Sequence, residues 1–89
     1  MKKTSKKVVF QVAAVPGSEV FVAGSFNNWN PRQYPLRDNP ANGRYTTEVV
    51  LPRGRHEYKF IVNNEWTVDP ECPEWAPNGH GTLNSVIAV

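Results

Sequence analysis

One cysteine, Cys72, stands in 89 residues, so no disulfide can close within the chain. That suits a reducing compartment, and the expectation is a cytoplasmic protein. No apolar run approaches the length of a membrane span. The apolar stretch from Val8 to Val15 is interrupted by Gln11 and lacks a small-residue cleavage site, so it reads as a strand, not a secretion leader. Helical periodicity is also missing. Eight prolines and six glycines are scattered along the chain, and no 3.6-residue apolar pattern survives ten residues. A strong charge of one sign is absent too. Four lysines fall in the first seven residues, leaving six basic against eight acidic residues in the rest, a net −2. A mildly acidic body behind a short basic tail is no nucleic-acid platform.

What is present is a series of strand signals with turn signals between them. One domain is expected at residues 8–89, an all-β antiparallel sandwich of about seven strands, behind a disordered basic tail at 1–7. Strands are expected at Val8–Val15, Glu19–Gly24, Arg44–Leu51, His56–Val62, Glu65–Val68 and Leu83–Val89. A short strand is expected around Tyr34-Pro35-Leu36. Pro52 to Arg55 reads as a hairpin loop, Asn63-Asn64 as a two-residue turn, and Asp69 to Gly81 as a long Pro- and Gly-rich loop.

The two middle turns fix a register. Ile61 then faces Trp66, Phe60 faces Thr67, Val49 faces Tyr58 and Glu48 faces Lys59. Alternation puts Tyr45, Thr47, Val49, Tyr58, Phe60 and Val62 on a core face. Thr46, Glu48, Lys59, Ile61 and Trp66 take the opposite face. A lysine beside an exposed tryptophan is the informative pair there, and Glu48 would steady the ammonium.

Several chemistries are disfavoured. Asp69, Glu71 and Glu74 share one loop, but a glycosidase pair needs a sheltering cleft, so these read as solvated acids. His56, Cys72 and His80 lack metal-ligand spacing, and His56 shares the core-facing parity of Tyr58. No metal and no cofactor are expected. Glu71 beside Cys72 disfavours a reactive thiolate. Gly79-His80-Gly81 is too short for a phosphate-cradling loop.

Aromatics remain. Gly24-Ser25-Phe26-Asn27-Asn28-Trp29 ends a strand and displays an indole among three amides, Asn27, Asn28 and Asn30. The residues alone leave Trp29 open between a core plug and a platform for a ligand with C–H faces and hydroxyls. Trp29, Trp66 and Trp75 all lie in or beside loops. Two of them are expected to face a ligand, with Trp75 packed over the long loop and Phe26 turned inward as the plug.

Taken together, Gly24-Ser25-Phe26-Asn27-Asn28-Trp29, Leu51-Pro52-x-Gly54, His56-x-Tyr58-Lys59-Phe60-x-Val62, Trp66-Thr67-Val68-Asp69-Pro70 and Gly81-Thr82-Leu83-Asn84 resemble carbohydrate-binding module family 48. The kind resembled most is the glycogen-binding domain of AMP-activated protein kinase beta subunits. Related modules precede the catalytic domains of glycogen-branching and starch-debranching enzymes. The resemblance spans residues 8–89. It implies an immunoglobulin-like sandwich that binds α-1,4-glucan without cleaving it. It also implies that Trp29 and Trp66 stack on glucose rings, that Lys59 bonds sugar hydroxyls, and that Thr82 and Asn84 line the same groove. A leucine of the kinase-type domains, which pushes into the curve of the glucan, is replaced here by His80. The expectation is an imidazole contact in place of that wedge, with weaker hold on curved or cyclic glucans.

The leading expectation is therefore a stand-alone, non-catalytic glycogen- or starch-binding module; Met1 and the basic tail read as an independent start. Two rivals are weighed against it. In one, the same sandwich docks a kinase, a phosphatase or an amylase-family glycogen-metabolising enzyme and binds sugar weakly or not at all. In the other, the chain is part of a larger amylase-type enzyme.

Overall fold

Alternating apolar residues in short β-branched and aromatic runs favour pleated strands, and eight are found among the described residues. The computed structural model describes residues 5–79 and 81–89. Its strands are β1 (Ser5–Ala13), β2 (Val20–Gly24), β3 (Tyr34–Asn39), β4 (Arg44–Pro52), β5 (Arg55–Val62), β6 (Glu65–Thr67), β7 (Trp75–Pro77) and β8 (Leu83–Ala88). The helical piece among the described residues is a single 3-10 turn, Ser25–Asn27. No helix there is long and apolar enough to cross a membrane.

All pairings are antiparallel, in the order β1-β4-β3-β2-β5-β8-β7, with β6 alongside β5. The sheet curls into two layers because β3 changes partner midway. Its first half, Tyr34 to Leu36, pairs with β2, and its second half, Arg37 to Asn39, pairs with β4. Phe10, Leu36, Tyr45, Val49 and Leu51 thus meet Val22, Tyr58 and Phe60 in one core. Burying Leu51 or Phe60, both almost wholly enclosed, contributes roughly 1.5–3 kcal/mol each. The all-β antiparallel sandwich expected from the sequence is the architecture found.

Several local expectations need correction. Residues 44–62 do not form a hairpin. β4 is flanked by β1 over nine residue pairs and by β3, while β5 is flanked by β2 and by β6 and β8. The two strands do not pair with each other, so Pro52 to Arg55 crosses between layers. Tyr45, Val49, Tyr58 and Phe60 do all point inward, but they meet face to face across the core. Glu48 and Lys59 consequently lie on opposite outer surfaces, and the ion partner of Glu48 is Lys7 at 3.6 Å.

β1 starts at Ser5, so Lys6 and Lys7 pair with Leu51 and Val50 of β4. The rest of the expected tail, 1–4, lies outside the described residues. The short strand around Tyr34 runs on to Asn39, and the long loop contains β7. The turn at Asn63-Asn64 is as expected, with both residues at positive φ and Ile61 opposite Trp66.

Candidate functional site

The corner after β2 is built by close approach and amide clamps. Gly24 has extended backbone, φ −167°, so its glycine identity answers a steric need and not a left-handed turn angle. A Cβ there would lie 2.4 Å from the carbonyl oxygen of Glu57 and 2.5 Å from the ring of Phe26. Phe26 turns inward against the core and stacks on Phe10 at 5.8 Å. The Asn27 side chain accepts from the Gly24 amide at 3.0 Å and donates to the Asn30 carbonyl at 3.1 Å. The left-handed residues are Asn28 and Trp29 themselves, at φ 56° and 58°. Asn adopts that conformation readily, whereas for a bulky tryptophan it is an outlier held by its surroundings. The Trp29 amide donates to the Gly24 carbonyl at 3.0 Å, which closes the turn.

Trp66 reaches the same place from β6. Its cross-strand neighbour Ile61 points to the outer face yet is only 5% exposed, flanked by Phe21 of β2 and by Trp66. The Trp29 and Trp66 rings stand 6.5 Å apart, centre to centre, inclined at 47°. Trp66 is 46% exposed and Trp29 half-buried.

β5, β8 and the segment before β8 supply the polar wall. Alternation on β5 turns Lys59 to the outer face, where its ammonium donates to the Thr82 hydroxyl at 3.0 Å. Asn84 is only 5% exposed, and its amide nitrogen donates to the Glu57 carboxylate at 2.9 Å. Asn78 donates to Thr82 Oγ1 at 2.7 Å and to Asn84 Oδ1 at 3.0 Å.

Trp29, Lys59, Trp66, Asn78, Gly79, Thr82 and Asn84 together line an open groove of about 490 Å³. Five of the six residues expected at a site are thus brought together; the sixth, His80, lies outside the described residues. Asn78 and Gly79 were not foreseen. A loop asparagine carries no periodicity, and its only signal was its place four residues before Thr82.

Other expectations resolve differently. Trp75 is 48% exposed on β7. β7 is the sheet edge, its Trp75 is paired with the buried Ser85, and it does not line the groove. Asp69 accepts from the Tyr58 hydroxyl at 2.8 Å, Glu71 pairs with Arg44 and Glu74 pairs with Arg55. These acids line a separate cavity of about 450 Å³ with Cys72, whose half-buried thiol lies 3.1 Å from the Glu74 carbonyl and 3.2 Å from that of Val86. Burial, then the bond to Asp69, holds the Tyr58 phenol well above its ordinary pKa. His56 is buried, as its parity requires, and donates from Nε2 to the Pro52 carbonyl at 2.7 Å. No metal-ligating cluster of His, Cys, Asp and Glu occurs among the described residues.

A family profile described as the glycogen recognition site of AMP-activated protein kinase matches residues 7–89. The chain belongs to this family. It is 41% identical over 73 residues to the 5'-AMP-activated protein kinase subunit beta-1 of Sus scrofa, covering 82% of this chain and 56% of that one. The human beta-1 subunit shows the same identity over the same length, but there the match covers 25% of the relative. The mouse beta-2 subunit is 40% identical over 73 residues. The chain therefore matches between a quarter and about half of the length of these relatives. Within the family match lie all the residues that line the groove.

Proposed function

We propose that this module binds α-1,4-linked glucan, glycogen or a starch-like chain, without cleaving it. The observation that carries this reading is the pair of indoles inclined at 47° beside a wall of polar side chains. Two rings at that angle cannot both lie flat on a straight ribbon. A helical α-glucan curves, so successive glucose units can each lay a C–H face on one ring. Covering each indole supplies roughly 2–3 kcal/mol before ordering costs. Lys59, Thr82 and Asn84 then fix the sugar by hydrogen bonds. The groove is shallow and open, which fits micromolar or weaker affinity.

Nothing in the groove is arranged for hydrolysis. No carboxylate is among the described residues that line it; Glu57 is engaged by Asn84, and the loop acids line the other cavity. The module is read as a targeting device that needs no cofactor and works in the cytoplasm. Retention on glycogen or amylose resin, with none on cellulose, is the expected result. Failure of the wild-type chain to bind either α-glucan would remove this reading.

A second reading is favoured by the relatives being named as kinase subunits. In it, the module also sits within a kinase or another glycogen-metabolising complex. Stoichiometric recovery of one such enzyme from a sugar-free lysate is the expected outcome.

A further inference from the structure

The polar wall is a chain of hydrogen bonds whose direction is settled at each end. Lys59 can only donate, and the Glu57 carboxylate can only accept. Asn84 therefore presents Nδ2 to Glu57, which leaves Oδ1 toward Asn78. The Asn78 Oδ1 accepts from the Thr82 backbone amide at 3.3 Å, so its Nδ2 faces the wall. Both Nδ2 hydrogens are then used, one on Thr82 Oγ1 and one on Asn84 Oδ1. Thr82 Oγ1 accepts from Asn78 at 2.7 Å and from Lys59 at 3.0 Å. Two acceptances occupy both of its lone pairs, and its hydroxyl hydrogen has no acceptor among the described residues.

We infer that Asn78 is a specificity-determining residue that makes this wall a donor surface, so that it reads the lone pairs of a sugar and not its hydroxyl hydrogens. The inference rests on the α-glucan reading of the groove. Without the Asn78 amide, the Thr82 hydroxyl has a free lone pair and can turn its hydrogen away from the groove. With it, Thr82 offers O–H and Lys59 offers its remaining two N–H groups. The sugar atoms that satisfy such a wall are ring and glycosidic oxygens and hydroxyls acting as acceptors. Asn78 acts through its neighbours, so it is a positioning residue; stacking on Trp29 and Trp66 is independent of it.

The test uses the full chain and maltotriose analogues with a hydroxyl replaced by hydrogen or by fluorine at C2, C3 or C6. Fluorine accepts weakly and cannot donate. In the wild type, one position should lose about fivefold in affinity on replacement by hydrogen and less than about twofold on replacement by fluorine. Asn78→Asp replaces the donating amide with an acceptor that draws in Lys59 and the Thr82 hydroxyl. It should weaken maltoheptaose binding about tenfold, against about threefold for Asn78→Ala. A merely structural role would make affinity follow the melting temperatures of the two variants instead. Without ligand, the Asn78 side-chain amide hydrogens should exchange slowly with water by NMR. Fast exchange, equal losses in both variants, or equal effects of hydrogen and fluorine at every position would overturn the inference while wild-type binding persists. Absence of wild-type binding to maltoheptaose would instead remove the glucan reading beneath it.

Discussion

Two cavities of similar size, about 490 and 450 Å³, sit on the β5–β8 half of the sandwich. They differ in what their polar groups have left to give. In the cleft around Asp69, acid and partner are matched one to one: Asp69 with Tyr58, Glu71 with Arg44, Glu74 with Arg55. The Asp69 amide also donates to the buried Ser85 hydroxyl at 2.7 Å. Those bonds tie the 69–74 loop across the sandwich. In the groove, by contrast, indole faces are exposed, Lys59 retains donors beyond the one given to Thr82, and the Thr82 hydroxyl retains its own. Clustered titratable residues therefore mark the structural cavity here, and unspent donors beside exposed rings mark the binding one.

The groove is most vulnerable at Gly24, whose missing Cβ makes room for the corner that presents Trp29. Gly24→Ala should cost about 2–4 kcal/mol through the clash with the Glu57 carbonyl and Phe26. Thermal unfolding should show this as a drop of at least ~8 °C. Next in size, Trp66→Ala or Trp29→Ala should weaken maltoheptaose binding by roughly 30- to 150-fold, the equivalent of 2–3 kcal/mol. Calorimetric titration measures this, and the circular dichroism spectrum should stay that of the wild-type fold.

Tyr58→Phe probes the other cavity. It should cost about 1–2 kcal/mol at neutral pH by leaving the Asp69 carboxylate short of a donor. Its sugar affinity should be unchanged, because Tyr58 faces the core side of the strand that turns Lys59 outward. The same phenol sets an alkaline limit. Its folded pKa is raised above the unfolded value of 10.0, so the unfolded chain releases this proton first. The Tyr58 contribution is intact below pH 10 and falls above it, by up to about 1.4 kcal/mol per pH unit. Denaturant titrations from pH 9 to 11.5 should show that slope in the wild type and a shallower one in Tyr58→Phe. The smallest effect is expected from Glu71→Gln or Glu74→Gln. Both acids are more than half exposed, and loss of either pair should move stability by no more than about 1 kcal/mol and leave sugar binding alone.

Much of this arrangement is written locally. The alternation in Tyr45 to Leu51 and in His56 to Phe60 carries their burial, and the Asn63-Asn64 turn carries the Ile61–Trp66 register. Phe26 as plug follows from its place at a strand end among small polar residues. The partner of β4 was not legible. A turn-like Pro52-Arg53-Gly54-Arg55 favours a hairpin by its own chemistry, and only the nine-pair contact with β1, more than 30 residues away in sequence, outweighs it. Asn78 was hidden for a related reason. Its importance comes from the nearby Thr82 hydroxyl, from Asn84 of β8 and, through Thr82, from Lys59 of β5.

The sequence by itself determined the faces: which residues of each strand turn inward, where the chain turns, and that Lys59 and Trp66 share an outer surface. Those properties depend on side-chain period and on neighbours within a few residues. Tertiary structure alone decided which layers those faces belong to, that Glu48 lies across the molecule from Lys59, and that Trp29 leans toward Trp66 at 47°. Such choices compare the energies of long-range pairings, and no local pattern encodes a difference between partners that meet only after the sheet has curled.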